Sequence, residues 1–85
     1  MEIFLGKIKN FYAHVPAIIV ELEENLKIGD KIVVKKKNGE ERFKQVVESM
    51  EIERKKIQEA KAGSEVAILV IGKAKKDDLV YKIIE

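Results

Sequence analysis

The chain has 85 residues, of which 46% are hydrophobic and 38% charged, and this composition is too apolar for a disordered segment and too charged for a membrane span. A chain of this length supports one modest core, so we expect a single domain over residues 1–85 and exclude a multidomain enzyme. Seventeen Lys and Arg residues against 15 Asp and Glu residues leave a formal net charge of +2, which by itself does not indicate nucleic-acid binding.

The sequence contains no cysteine, which excludes disulfides and thiolate metal sites and favours a reducing compartment. No export signal is visible at the N-terminus, and the longest apolar runs have six residues, far fewer than a membrane-spanning helix requires. We therefore expect a cytoplasmic protein without membrane contact. The abundance of Ile, Lys and Glu, together with the absence of Thr, is typical of proteins from hot environments.

The first part of the chain predicts two strands and two connections. Residues 3–12 and 17–22 are rich in β-branched and aromatic residues, as strands are. Residues 12–16 are predicted to form a turn, because Pro16 disfavours helix before it and cannot donate a hydrogen bond to a strand ladder. Residues 26–30 are predicted to form a short loop.

Asn38-Gly39 predicts a β-hairpin. Residues 31–37 alternate between apolar and polar side chains, and an Asn-Gly pair readily adopts the positive φ angles of a type I′ turn. The same signal requires a second strand immediately after the turn.

The following segment, residues 40–62, fits two structures. Its composition favours helix, and four of its apolar residues have helical spacing. These are Phe43, Val46, Val47 and Met50. Because the hairpin needs a partner strand, we instead predict a bent or bulged strand over residues 41–53.

The C-terminal part predicts two more strands, residues 65–71 and 79–84, which we expect to pair with each other across a charged loop. We interpret Asp77-Asp78 in that loop as a solvated turn. Five or six short strands with regularly spaced turns predict an all-β domain, a small antiparallel barrel.

Several kinds of catalytic chemistry lack their residues in this sequence. No glycine-rich loop ends in Lys and Ser or Thr, so we expect neither nucleotide binding nor hydrolysis. One histidine, His14, and two serines supply almost no material for a catalytic triad. Clusters of metal ligands are also missing, so we expect no metal, no cofactor and no enzymatic activity.

Residues 26–32 and 50–72 resemble domain II of the translational GTPases, including elongation factor Tu. The first segment carries the Leu-x-x-Gly-Asp turn before a strand, and the second matches the elongation factor pattern without a gap. The matching positions are Glu51, Arg54, Lys55, Glu59, Ala62, Gly63, Val66 and Gly72. The resemblance implies a stand-alone six-stranded antiparallel Greek-key barrel that lacks the GTPase domain. It also implies that Glu51 and Arg54 contact the 3′ end of a tRNA.

The middle of the chain offers a candidate RNA-binding surface. Residues 35–61 carry nine Lys and Arg residues against six Glu residues. The predicted phosphate-contacting residues are Arg42, Lys44, Arg54, Lys55 and Lys56, with Tyr12 and His14 as candidates for stacking on bases. The alternatives are a solvated salt-bridge network for Glu51, Arg54 and Lys55, and a rim aromatic beside a loop histidine for Tyr12 and His14.

Three functional hypotheses follow. The first is a non-catalytic translation-factor-like barrel that binds tRNA, ribosomal RNA or a ribosome-associated surface. The second is a protein-interaction module that docks on a GTPase or another partner chain. The third is an enzyme acting through Glu51 or the Asp77-Asp78 pair. Steep weakening of binding by salt would separate the first from the second, because phosphate contacts release counterions.

Overall fold

The computed structural model describes all 85 residues and consists of ten strands without a helix, which confirms the all-β prediction. No segment forms a helix that is long and apolar enough to cross a membrane. The strands are β1 (Glu2–Tyr12), β2 (Ala17–Glu21), β3 (Leu26–Lys27), β4 (Lys31–Lys35), β5 (Glu41–Val46), β6 (Met50–Ile52), β7 (Lys55–Ile57), β8 (Glu59–Ala60), β9 (Glu65–Leu69) and β10 (Leu79–Ile83).

Eight strands form one antiparallel arrangement in the order β5-β4-β10-β1-β2-β9-β6-β7, and β3 pairs separately with β8. The terminal strands of this order, β5 and β7, are not paired with each other. A closed six-stranded barrel is therefore not found, although the antiparallel architecture is as expected.

Strand β1 bends and belongs to both halves of the sheet. Its first part pairs with β10 and its second part with β2, and its register shifts on either side of Gly6–Ile8. Gly6 has φ +151°, and a Cβ added there would lie 2.5 Å from the carbonyl oxygen of Glu21. Only glycine allows β1 to pass so close to the end of β2.

The core lies between the two halves of the bent sheet. Side chains alternate along each strand, so that Ile18 and Val20 point inward while Ile19 lies on the outer face. Burying each large apolar side chain contributes about 1.5–3 kcal/mol of transfer free energy. The fully buried large residues are Leu5, Ile8, Ile18, Leu22, Leu26, Ile32, Met50, Ile68, Val20, Val33, Val34 and Val47.

The predicted strand over residues 41–53 is correct in type but wrong in continuity. Residues 47–49 separate β5 from β6, and the side chain of Val47 is fully buried. Its N–H donates to the carbonyl of Asp30 at 2.8 Å, and its own carbonyl accepts from Gly29 N–H at 2.9 Å. These bonds replace the strand ladder at Val47 and let the chain cross from one half of the sheet to the other.

Two predicted connections are also corrected. Residues 26–30 are not entirely a loop, because Leu26–Lys27 pairs with Glu59–Ala60. The last two strands do not pair with each other, since β9 lies between β2 and β6 while β10 lies between β1 and β4. Both predictions failed for the same reason: these strands pair with strands that are distant in sequence.

The hairpin predicted at Asn38-Gly39 is present between β4 and β5, but its turn is not type I′. Gly39 has φ +92°, whereas Asn38 does not have a positive φ angle. The two-residue turn with positive φ at both positions instead lies between β6 and β7, where Glu53 has φ +50° and Arg54 has φ +68°.

Asp78 is not part of a solvated turn. Asp78 is only 4% exposed, and its carboxylate accepts hydrogen bonds from the side chain of Arg42 on β5 and from the backbone N–H of Lys75. A buried carboxylate needs such partners, because an unpaired charge in the interior is strongly unfavourable. The Asp78–Arg42 pair therefore joins the loop before β10 to β5.

A second polar bridge joins β5 to the chain after β9. The Gln45 amide nitrogen donates to the carbonyl of Leu69 at 2.9 Å, and the Gln45 amide oxygen accepts from the N–H of Ile71 at 2.8 Å. The side-chain amide thus makes the pair of hydrogen bonds that a neighbouring strand would otherwise supply.

Candidate functional site

An open groove of about 560 Å³ lies on the outer face of the β2-β9-β6 sheet. Six of its ten lining residues are hydrophobic, and the remaining four carry charge. The lining consists of Tyr12, Val15, Ala17, Ile19, Glu51, Glu53, Arg54, Glu65, Val66 and Ala67. We refer to this surface as the outer groove.

The floor of the outer groove follows from strand register. Ala67 on β9 is the pairing partner of both Ile19 on β2 and Glu51 on β6. Directly paired residues on antiparallel strands place their side chains on the same face, so these three side chains form a row across the sheet. Ala67 is the small residue at the centre of that row, and the missing side-chain volume creates the depression.

One end of the outer groove is formed by exposed apolar residues. Tyr12, the last residue of β1, is 50% exposed, and Val15, in the turn between β1 and β2, is 60% exposed. The Tyr12 hydroxyl accepts a hydrogen bond from the Asn10 side chain at 3.1 Å, which orients the ring. A smaller, separate depression of about 70 Å³ adjoins the groove and is lined by Ser49 and by Leu69, which is 44% exposed.

The rim is charged. Glu51 lies on β6, Glu53 and Arg54 form the turn that follows, and Glu65 begins β9. Glu65 accepts a 2.6 Å hydrogen bond from Lys9. That hydrogen bond, together with the Coulombic attraction between the two groups, raises the pKa of the Lys9 ammonium above its usual range.

The structure brings together three of the residues singled out from sequence. Tyr12, Glu51 and Arg54 all line the outer groove. His14 lies in the exposed β1–β2 turn and is not part of the lining. The other four predicted phosphate-contacting residues, Arg42, Lys44, Lys55 and Lys56, do not line the groove.

The five predicted phosphate-contacting cations are divided between the two terminal strands of the sheet order. Arg42 and Lys44 are on β5, whereas Lys55 and Lys56 are on β7, next to the turn that contains Arg54. Arg42 is largely buried in its ion pair with Asp78, and Lys44 lies 3.7 Å from Glu41. The patch predicted near one end of a barrel is therefore distributed over two strands that do not pair with each other.

The apolar residues of the outer groove were missed by sequence reasoning, although a signal for them existed. Alternation along residues 17–22 and 65–71 assigns Ile19 and Ala67 to the face opposite the core. An isoleucine on the outer face beside an alanine, within strands otherwise rich in valine and isoleucine, indicates an apolar depression. The structure also contains no group of three or more His, Cys, Asp or Glu residues positioned to hold a metal ion.

Comparison with known proteins gives one sequence similarity and a shared fold. No family model matches the chain. An uncharacterised protease of Methanocaldococcus jannaschii is 35% identical over 85 residues, which is 99% of this chain. The chain spans only 20% of that relative's length.

Two crystal structures of the C-terminal domain of a candidate U32 peptidase from Geobacillus thermoleovorans have the same fold. The first gives a TM-score of 0.84 at 18% identity and covers 95% of this chain and 92% of that one. The second, a selenomethionine variant, gives a TM-score of 0.80 at 18% identity and covers 91% of this chain and 95% of that one.

These findings correct the assignment to domain II of the translational GTPases. The similarity that spans the chain is to a protease, and the shared fold is that of a C-terminal domain from a candidate peptidase. The functional hypothesis built on the resemblance, a translation-factor-like RNA-binding barrel, is therefore wrong. Short motifs in the expected order were compatible with the strand pattern without identifying the protein.

Proposed function

We propose that this chain is a non-catalytic domain of a peptidase-related protein and that its outer groove binds an extended polypeptide segment. The observation that carries the proposal is the apolar floor on the solvent-facing side of the sheet, where Ile19 and Ala67 lie beside the exposed Tyr12 and Val15. A concave, mostly apolar surface with a few charged groups at its edge is characteristic of binding sites.

The dimensions of the groove suit a few side chains of a peptide. A volume of about 560 Å³ is within the range of sites that take small ligands or short segments. The similarity to a protease supports a polypeptide as the ligand class, because proteases act on polypeptide chains.

The chemistry of the lining supports binding without hydrolysis. The outer groove contains three glutamates, one arginine and one tyrosine, but no serine, cysteine or histidine. A nucleophile activated by a histidine base therefore has no residues there. In our proposal, any peptidase chemistry belongs to the part of the longer relative that this chain does not span.

The proposal is tested by titrating the protein with an acetylated and amidated valine-rich peptide while recording amide proton–nitrogen NMR spectra. A peptide of about ten residues suffices, since a strand rises about 3.3 Å per residue and the domain is 32 Å in its longest dimension. We expect saturable shifts at Ile19, Glu51 and Ala67, unchanged signals in β4 and β10, and an intact peptide by mass spectrometry.

Two variants locate the binding site. Ala67→Phe fills the depression and Tyr12→Ala removes the exposed ring, so both should weaken binding, while circular dichroism confirms that the fold is retained. Lys44→Phe is the matched control, because it adds the same ring as Ala67→Phe at an exposed position of β5 outside the groove. Absence of saturable shifts in the groove, or undiminished binding by both variants, would refute the proposal.

A further inference from the structure

The charges at the outer groove distinguish between possible peptide ligands. Its lining carries three carboxylates, Glu51, Glu53 and Glu65, and one guanidinium, Arg54. This excess of negative charge favours positively charged ligands and disfavours negatively charged ones.

Only one of these four charges is engaged within the protein. The molecule contains eight ion pairs with N–O distances up to 4.0 Å, and among the rim residues they include only Glu65, which pairs with Lys9 at 2.6 Å. Glu51, Glu53 and Arg54 form no such pair. Two unpaired carboxylates and one unpaired guanidinium therefore remain available in the lining, with one net negative charge. Lys56, the pairing partner of Glu51 on β7, forms no ion pair with it and is not part of the lining.

The turn that holds two of these groups is strained. Glu53 and Arg54 have φ angles of +50° and +68°, which side chains other than glycine, asparagine and aspartate seldom adopt. Elsewhere positive φ angles occur at four of the glycines and at one aspartate, Asp77. Strain of this kind is concentrated where a side chain is needed for binding, and here both strained residues line the groove.

We infer that the ligand of the outer groove is a polypeptide segment with a Lys or Arg side chain next to apolar residues. This inference rests on the proposed function and adds the ligand's charge to it. The apolar side chains contact Ile19, Ala67 and Val15, and the basic group lies between the carboxylates of Glu51 and Glu53. Arg54 at the same rim disfavours cations and thereby limits affinity for them.

The inference is tested with three peptides of about ten residues that differ only in a central Val-Lys-Val, Val-Gln-Val or Val-Glu-Val. At about 3.3 Å per residue, such a peptide when extended matches the longest dimension of the domain, 32 Å. Dissociation constants are measured by NMR titration at low salt. The Lys peptide should bind about twofold to fivefold more tightly than the Gln peptide, as expected for one exposed ion pair, and the Glu peptide should bind most weakly.

Charge-removing variants then test the residues. Glu51→Gln should weaken binding of the Lys peptide about twofold to fivefold, whereas Arg54→Gln should strengthen it by a similar factor. Glu24→Gln is the matched control, because Glu24 is exposed, unpaired and outside the groove, and it should leave affinity unchanged.

The possible outcomes separate the two proposals. Equal affinity for all three peptides in the groove would overturn the charge inference and support the proposed polypeptide-binding function. Tightest binding of the Glu peptide, with weakening by Arg54→Gln, would overturn the inference by reversing its sign. If none of the three peptides bound, both the inference and the proposed function would be refuted.

Discussion

The strained turn between β6 and β7 makes a quantitative prediction about stability. Replacing Glu53 and Arg54 by Asn and Gly gives the pair that a type I′ turn favours. Relieving the left-handed conformation of Arg54 gains about 1–2 kcal/mol, and the freedom of glycine in the unfolded chain offsets about 0.5–1 kcal/mol of that. With a smaller gain at Glu53, the double variant should be more stable by about 1 kcal/mol.

This change is measurable by thermal denaturation followed by circular dichroism. For a domain of this size, a stabilisation of about 1 kcal/mol raises Tm by about 4–8 °C. The control is Gly39→Ala, since Gly39 has φ +92° and an added Cβ would meet no atom within 4 Å. Its effect is purely conformational, and it should lower stability by about 1–2 kcal/mol.

The assignment of strain to Glu53-Arg54 would be refuted if the double variant were no more stable than the original protein while Gly39→Ala was destabilised as expected. The same double variant removes two charged side chains from the outer groove. Greater stability accompanied by weaker binding of the Lys peptide would link the strain to ligand binding.

Three further predictions concern the framework around the groove. Asp78→Ala should lower stability by about 2–4 kcal/mol in chemical denaturation, because it leaves the largely buried Arg42 without its carboxylate; a loss below about 0.5 kcal/mol would contradict this role. Gly6→Ala should lower stability by about 2 kcal/mol or more, because the new Cβ would lie 2.5 Å from the Glu21 carbonyl oxygen; an unchanged unfolding midpoint would show that β1 can shift there. The pKa of Lys9 is raised above its usual 10.5 by Glu65. The stability that this ion pair contributes is therefore fully present below pH 10.5 and is lost as pH rises through the folded-state pKa. The Tm difference between the original protein and Lys9→Met should therefore narrow in alkaline solution, and a constant difference would count against the ion pair.

The family resemblance illustrates how local motifs can mislead. Residues 26–32 and 50–72 match a known pattern in order and spacing, yet they map onto short strands and turns that many all-β domains contain. The motif did identify Glu51 and Arg54 as neighbours, and the structure places both at the same groove. Their common location follows from the β6–β7 hairpin, and it does not require the function of the resembling family.

Local sequence determined the secondary-structure class. Alternation and β-branched composition predicted the strands before and after the turn at Pro16, and Asn38-Gly39 predicted a hairpin that outweighed the helical spacing after it. These features succeed because period-two alternation and turn propensity act between residues that are close in the chain.

Tertiary structure decided the features that make the site. The interruption of residues 41–53 at positions 47–49, the Asp78–Arg42 pair and the row of Ile19, Ala67 and Glu51 all depend on contacts between segments that are distant in sequence. The left-handed Glu53-Arg54 turn also contradicts local propensity and persists because β6 and β7 pair on either side of it. Packing and long-range register, which no short window of sequence contains, therefore created the outer groove and its charged rim.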